Sequence, residues 1–457
     1  MNDFQQQALQ LAAHQHSPQW LQVLRTEGAR TWLHAAWPDR KTELWKYTSL
    51  NHLQQQHFKQ WAVNDNSWQD KLWQEKKSQV NLIPMEATRL VFVNGQLDSE
   101  LSTSLPEEVS LFSQADAAAQ TLITRHLGQI QNTERNLFAA LSNAWVEEGV
   151  LLHVPANVKL SKPLYVVHIA TATAEAAVSS QRLLLVLDAG AEACVIEHYL
   201  STAEPQNGFL NTLTEISLGD NASLYHSRIS LEQEALLHIG GVHANLGRDS
   251  SLTGFTLAEG SQLKRIDYQI NHRDSGAQYQ LDGVYLARNS QFVDYHVNVE
   301  HCAPHCTTSE VFRGIVGDSA RAVFNGRIHI HKNAQKTLAE LSNRNLLTSD
   351  RAEIDTKPEL EIYADDVRCA HGATISQLDS TAMYYLQSRG ISRRQARVML
   401  SFGFINELLY AIPQPEVQDY LQQHLTALFA EGESLLGETE PGSGSVVETG
   451  PGTESKV

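Results

Sequence analysis

Cysteine is scarce in this chain. Four in 457 residues cannot make a disulfide framework, and free thiols suit a reducing compartment, so a cytoplasmic setting is expected. Positive charge is also short: 35 Lys and Arg stand against 52 Asp and Glu, for a net −17. Nucleic acids and anionic membranes select basic faces, so neither is an expected partner. The longest unbroken aliphatic run, Leu183 to Leu187, is five residues, far below the roughly 18 needed to span a bilayer. The N-terminus, MNDFQQQALQLAAHQHS, lacks the basic start and greasy run of a secretory signal. Motifs are missing as well. No G-x-x-x-x-G-K-[ST] occurs, so the chain has no Walker-type phosphate loop of its own. There is no G-x-S-x-G elbow, no H-E-x-x-H helix, and no G-x-G-x-x-G after a strand.

What is present is an ordinary globular composition, 42% apolar and 19% charged, in a chain long enough for two or three domains. All eight tryptophans lie in the first third: Trp20, Trp32, Trp37, Trp45, Trp61, Trp68, Trp73 and Trp145. That shift marks a separate, mostly helical N-terminal region over 1–150. Ser17-Pro18 reads as a helix start, with Leu21, Leu24, Gly28 and Ala35 following at helical spacing. Arg89 to Val93 reads as a strand entering an Asn94-Gly95 hairpin turn.

The middle, 151–375, carries a weak repeat: an apolar residue, two variable ones, a turn residue, then Ala, Ser or Val. The turn positions are Asn157, Gly190, Asn221, Asp249, Gly260 and Asn289, with looser copies at Ser319 and Asn333. Gly, Asn and Asp tolerate a left-handed backbone, so a tight turn is expected at each. Alternating stretches such as Leu183 to Leu187, Gln291 to Val299 and Ala322 to Ile330 read as strands with one buried face. Most spacings between copies are 28 to 33 residues, but two are 11 and 14. Recurrent strand–turn units suggest a stacked β-solenoid rather than a β-sandwich, with a slight preference because the spacing is irregular.

After Ile375 the period returns to helical. Asp379 to Gln387 reads as a helix stopped by Gly390, and Ser392 to Gln395 as a capping box. Ala396, Met399, Leu400, Gly403, Phe404 and Leu408 then share one helical face. Val417 to Phe429 forms a last helix, so a helical domain spans 376–432. The remainder, 433–457, is Gly/Ser/Pro/Glu-rich and reads as a disordered acidic tail.

Two constellations could carry chemistry. His301-Cys302-Ala-Pro-His305-Cys306 offers four soft or borderline ligands in six residues. The alternative is a turn around Pro304, with cysteine serving as a small apolar side chain. Cys369-Ala-His371 places a thiol and an imidazole on the same face of a strand, which is half a metal site. His329 and His331 also share a strand face. Near the C-terminus Arg389, Arg393, Arg394 and Arg397 flank the apolar stripe containing Gly403. That reads either as a partner-docking surface or as simple packing.

Several of these segments resemble one family. Arg40-Lys-Thr-Glu-Leu-Trp-Lys-Tyr-Thr-Ser-Leu50 is similar to its R-K-x-E-x-W-K-Y-T-x-L signature. Arg89 to Gly95 resembles its early hairpin, and Val367 to Thr374 its C-[ST]-H-G-A-T motif. Tyr385 to Gly390 through Phe402 to Ile405 resembles its C-terminal helical signature. Together they point to the SufB/SufD family of the SUF iron–sulfur cluster assembly system, with the tryptophan-rich N-terminal motif on the SufD side. The resemblance runs from about residue 5 to 430. Ala370 replaces the usual Ser or Thr, and Ser376 stands where glycine is common.

The resemblance implies an α+β fold: a helical N-terminal region, a right-handed parallel β-helix, and a helical C-terminal domain. It implies a non-catalytic scaffold that pairs with a SufB-like paralogue through the β-helix. It also implies docking of a SufC-like ABC ATPase on the C-terminal helices, through Arg389, Gly390, Arg393, Met399, Gly403 and Phe404. A cluster would lie transiently at the SufB interface, with His371 as metal ligand and Cys369 beside it. None would be held stably by the isolated chain, which could form a homodimer. Apo iron–sulfur proteins would be served indirectly. Cys302, Cys306, His301 and His305 are outside the family pattern. Two other classes compete: a β-solenoid enzyme acting on carbohydrate, and a stand-alone metallochaperone using that second cluster.

Overall fold

The computed structural model describes residues 2–14, 17–60, 80–130, 136–171, 176–202 and 207–431. Trp61, Trp68, Trp73 and the acidic tail expected over 433–457 lie outside the described residues.

The centre is a parallel β-helix. From Val150 onward the chain alternates between two sheets, so successive strands stack on the strand two places earlier. The first sheet runs from Val150–Val154 through Ala177–Leu187, Gly208–Leu218 and Leu237–Leu246 to Arg321–Ile330 and Glu353–Ile362. The second runs from Leu164–Ala170 through Glu192–Ser201 to Leu338–Leu347 and Arg368–Gln377. The solenoid is thus borne out over the sandwich. Its start, however, draws on the N-terminal region. Thr88–Val93 pairs in parallel with Leu164–Ala170, and Val109–Leu111 pairs antiparallel with Val150–Val154. The Asn94-Gly95 hairpin forms as expected, both residues having positive φ, 50° and 89°.

The repeat read from the sequence proves to be two corners interleaved. Asn157, Gly190, Asn221 and Asp249 are left-handed, and Gly276, His305 and Lys336 continue the same column. Each donates its backbone N–H to the next turn of the coil: Asn157 to Ala189 O at 2.9 Å, His305 to Gln335 O at 2.9 Å. Asn289 and Asp318 are left-handed at the other corner. The 11- and 14-residue spacings are jumps from one corner to the other. Three expectations fail. Gly260 and Asn333 are not left-handed, and the turn at Ser319 places its left-handed residue one position earlier, at Asp318.

The expectation of one buried face per strand also fails for Leu183 to Leu187 and most of Ala322 to Ile330, which are buried on both faces, whereas Leu338–Leu347 near the open end keeps the alternation. Helices α1 (Asp3–His14), α2 (Gln22–His34), α3 (Asn51–Gln55), α4 (Ala117–His126) and α5 (Leu137–Ala144) precede the coil. Phe4, Trp32, Trp45 and Phe138 pack against Val178, Phe209, Ile239 and Leu263 on the outer face of the first sheet. The Arg40–Leu50 segment fastens this layer. Arg265 stacks 3.9 Å from the Trp45 ring and donates to Leu44 O at 2.7 Å, while the Thr48 hydroxyl donates to Asp294. After the coil come α6 (Ser380–Ser388), α7 (Arg393–Tyr410) and α8 (Pro415–Glu431). Ile405, Leu408, Leu421, Leu425 and Phe429 cover Ile229, Phe255, Val284 and Ile315 on the outer face of the second sheet.

Inside, the coil has an apolar core of Leu185, Ile216, Val242, Tyr268, Val297, Phe312 and Phe324. Its edge is charged. Glu197 accepts from His226 at 2.6 Å, Thr214 at 2.6 Å and Tyr199 at 2.6 Å, and pairs with Arg228. Glu232 pairs with His238 and Lys264. Burial disfavours both carboxylates, but Arg228 for Glu197 and Lys264 for Glu232 outweigh it and hold them ionised. Two carboxylates against Arg228 and Lys264 leave this interior balanced, as buried charge requires.

Candidate functional site

The coil stops without a lid. Among the described residues no strand stacks beyond Glu353–Ile362 or Arg368–Gln377. Residues that would be interior in an earlier turn are therefore exposed here. Leu341, inside the core, is in register with His371, and Ala339 with Cys369. Alternation thus aims both side chains of the motif along the coil interior. Cys369 packs against the apolar core and its thiol is pushed up by burial, while His371 is exposed. Gly372 next to it has nothing within 4 Å of where a Cβ would stand. Ile362 (42% exposed), Tyr363 (62%) and Ile375 (46%) surround this end.

The His301–Cys306 motif divides. His305 is an exposed left-handed corner residue, φ 61°, and Cys302 is half-buried with its thiol turned toward Glu300 O. His301 and Cys306 are buried, and the third member of their group is His272, one turn earlier; potential ligand atoms of the three lie within 4.8 Å of one another. His272 was not legible as a partner until the 29-residue step from His272 to His301 was known to be one turn of the coil. The two imidazoles stack at 4.3 Å and share the Thr308 hydroxyl at 3.1 and 2.9 Å. Burial pushes the Cys306 thiol up to about 11 and the His301 imidazole down to about 3. These are neutral groups in a packed corner. The four-ligand set read from the motif does not assemble, since two of its members face elsewhere.

On the C-terminal helices both termini follow the sequence. Asp379 caps α6, Gly390 closes it at φ 83°, and Ser392 with Gln395 forms a capping box. The buried face of α7 is Ala396, Ser401, Ile405, Leu408 and Leu409, not the stripe expected. The helix rotates to lay Ile405 and Leu408 on the second sheet, and only Ala396 and Leu408 of the expected face are buried. Met399 is left 51% exposed beside open Gly403. Phe404 is half-buried beneath Arg313, 5.6 Å from its ring. Tyr384 (74% exposed), Tyr385 and Tyr410 add to this surface, and Arg389 stacks 4.3 Å over Tyr385. Arg393 is exposed nearby. The tyrosines were not among the residues expected there.

Of the coil's acids, Glu197, Glu232 and Glu310 are buried. Glu310 is a further residue the sequence did not single out. It lies between Leu281 and Leu341 in an interior column that ends at His371, and neither carboxylate oxygen has a hydrogen-bond partner.

Fold and open end together define a class: a β-helix protein with helical layers on both outer faces and one unstacked end. Residues 168–404 match the family model described as the SUF system FeS cluster assembly SufBD core domain, and residues 2–166 match the SufBD protein N-terminal region. An iron–sulfur cluster assembly SufBD family protein of Synechocystis sp. is 31% identical over 400 residues, covering 84% of this chain and 86% of that one. Iron–sulfur cluster assembly protein SufD of Escherichia coli is 28% identical over 86% of this chain and 92% of its own length. A chloroplastic protein of Arabidopsis thaliana is 26% identical over 92% and 88% respectively. The chain belongs to the SufBD family, whose members are involved in iron–sulfur cluster assembly.

Proposed function

We propose that this chain is a non-catalytic, SufD-type scaffold subunit. It pairs end to end with a SufB-like paralogue through the open β-helix and carries a SufC-like ABC ATPase on α6 and α7. The observation that supports the pairing is the unstacked strand Arg368–Gln377. Its interior column presents His371 to solvent among exposed Ile362, Tyr363 and Ile375. A stacked partner would restore the burial that every earlier turn enjoys. In the isolated chain, a second copy could use the same end.

The cluster is cargo rather than a resident group. One imidazole, with Cys369 turned toward the core, is too small a donor set for a cluster that takes four ligands, mostly thiolates. His371 supplies one ligand and the partner the rest, and apo-proteins receive the product. The absence of a phosphate loop fits an ATPase borrowed from another chain. Four free cysteines fit a cytoplasmic setting, and among the described residues no helix is long and apolar enough to cross a membrane.

The test is co-expression with the paralogue and the ATPase. His371→Ala should leave the three-chain complex intact and lower its iron and sulfide content severalfold; Cys369→Ser should do less. Normal iron incorporation in His371→Ala would reject the ligand role, and an intact complex after charge is placed at Ile375 would reject the pairing end.

A further inference from the structure

We propose that Glu300, His329 and His331 form a binding site for a divalent first-row transition ion on the outer face of the first sheet. The site lies one turn below the open end, where the Tyr363 ring meets His329 at 5.3 Å, and it does not include His371. Glu300 pairs in register with His329, and His329 with Glu361, so three successive turns set Glu, His and Glu in one outward column. His331 follows immediately after the strand and stacks on His329 at 4.2 Å. Glu300 Oε2 lies 3.0 Å from His329 Nδ1 and 2.8 Å from His331 Nε2. Ligands bound at about 2.0–2.2 Å to one ion stand about 3 Å apart. Glu300 Oε2 already stands at that separation from both ring nitrogens, and the candidate ligand atoms of all three residues lie within 4.8 Å of one another.

The hydrogen-bond pattern points the same way. His329 Nδ1 also faces Arg327 Nη2 at 2.8 Å. Arginine can only donate and an ionised carboxylate can only accept. One ring nitrogen cannot accept from Arg327 and donate to Glu300 at once. As an acceptor it puts two bases, its lone pair and Glu300 Oε2, side by side with no proton between them. A cation satisfies both.

Arg327 is the positioning residue. Its Nη1 holds Glu300 Oε1 at 2.7 Å, and its Nε and Nη2 hold Glu361 at 2.7 and 2.8 Å. That grip leaves Oε2 turned to the imidazoles, the kind of outer contact that orients metal ligands. An entering ion costs Arg327 its contact with His329 but not these three. With neutral imidazoles, Glu300, Glu361 and Arg327 sum to one negative charge, which favours a cation. Two imidazoles and one carboxylate suit zinc, ferrous iron or cobalt better than calcium or a soft monovalent ion.

The experiment uses the untagged full chain, stripped with chelator and titrated with Co2+ near neutral pH by calorimetry and visible absorption. One saturable equivalent is expected, weakened roughly tenfold or more by His331→Ala and by His329→Gln. Binding should be unchanged in His371→Ala and Cys302→Ser. His331 lies past the strand end and is half-exposed, so its variant should keep the melting temperature and report binding alone. No saturable binding by the unaltered chain overturns the proposal and leaves the group as ion pairs. Binding that persists in both histidine variants overturns it equally.

Discussion

Replacing Glu310 with leucine should make the protein more stable, and more so as pH rises. Glu310 is 1% exposed, and its carboxylate oxygens have no partner. Its neighbours in the column above and below are Leu281 and Leu341. Burial alone raises its pKa from the ordinary 4.5 to about 8. An acid raised on folding binds its proton more tightly in the folded state. Its contribution is therefore full below about 4.5 and is lost as pH rises towards about 8. At pH 7 the loss is about 1.4 kcal/mol for each pH unit above 4.5, or roughly 3 kcal/mol. Leucine removes that loss and fills the column with the side chain found on either side. Thermal or denaturant unfolding of the parent, Glu310→Gln and Glu310→Leu at acidic and mildly alkaline pH would measure it. Both variants should flatten the fall in stability with pH, and Glu310→Leu should gain about 3 kcal/mol near neutrality. A leucine variant less stable than the parent at alkaline pH, or an unchanged pH slope, would refute the reasoning.

On α6 and α7, Met399→Asp with Tyr384→Asp should abolish capture of the ATPase, at a cost of several kcal/mol of binding, while circular dichroism and melting stay unchanged because both side chains are exposed. Unchanged capture would reject this docking surface. Phe404→Asp is the poorer test, since Phe404 lies under Arg313 and its loss would disturb the helix itself. At the corner, His305→Gly should stabilise the fold by about 0.5–1 kcal/mol, because glycine adopts φ 61° without the Cβ clash; a loss of stability would show that the imidazole has a role the corner does not explain.

Local signals in the chain were read well where their cause is local. The Asn94-Gly95 hairpin, the Asp379 and Ser392 caps and the Gly390 stop depend on a few consecutive residues, and each formed where expected. The corner repeat was visible for the same reason, but which copies belong to which corner was not. That depends on closure of the coil, which no short window records. His305 shows the consequence. As a residue type it looked like a ligand, and only the column Asp249, Gly276, His305, Lys336 identifies it as a corner.

The C-terminal end was legible in part. The family motif marked out His371, while its exposure follows from the coil stopping at Gln377, a fact about stacking rather than about the motif. Which face of α7 is buried depends on the second sheet, whose coil strands begin as far back as Leu164. Hydrophobic spacing alone could not choose between the Met399 side and the Ile405 side. Glu310 is the plainest case. Beside Val311 and Phe312 it reads as the polar half of an alternating strand. In the coil the alternation is reversed in meaning: Val311 faces outward towards the C-terminal helices, and Glu310 faces in. Where helices cover an outer face of the solenoid, the solvent side on which the alternation rule depends is gone. A polar residue in such a strand is buried whichever way it points, and Glu310, placed two turns beneath His371, is an acid this coil buries without a hydrogen-bond partner.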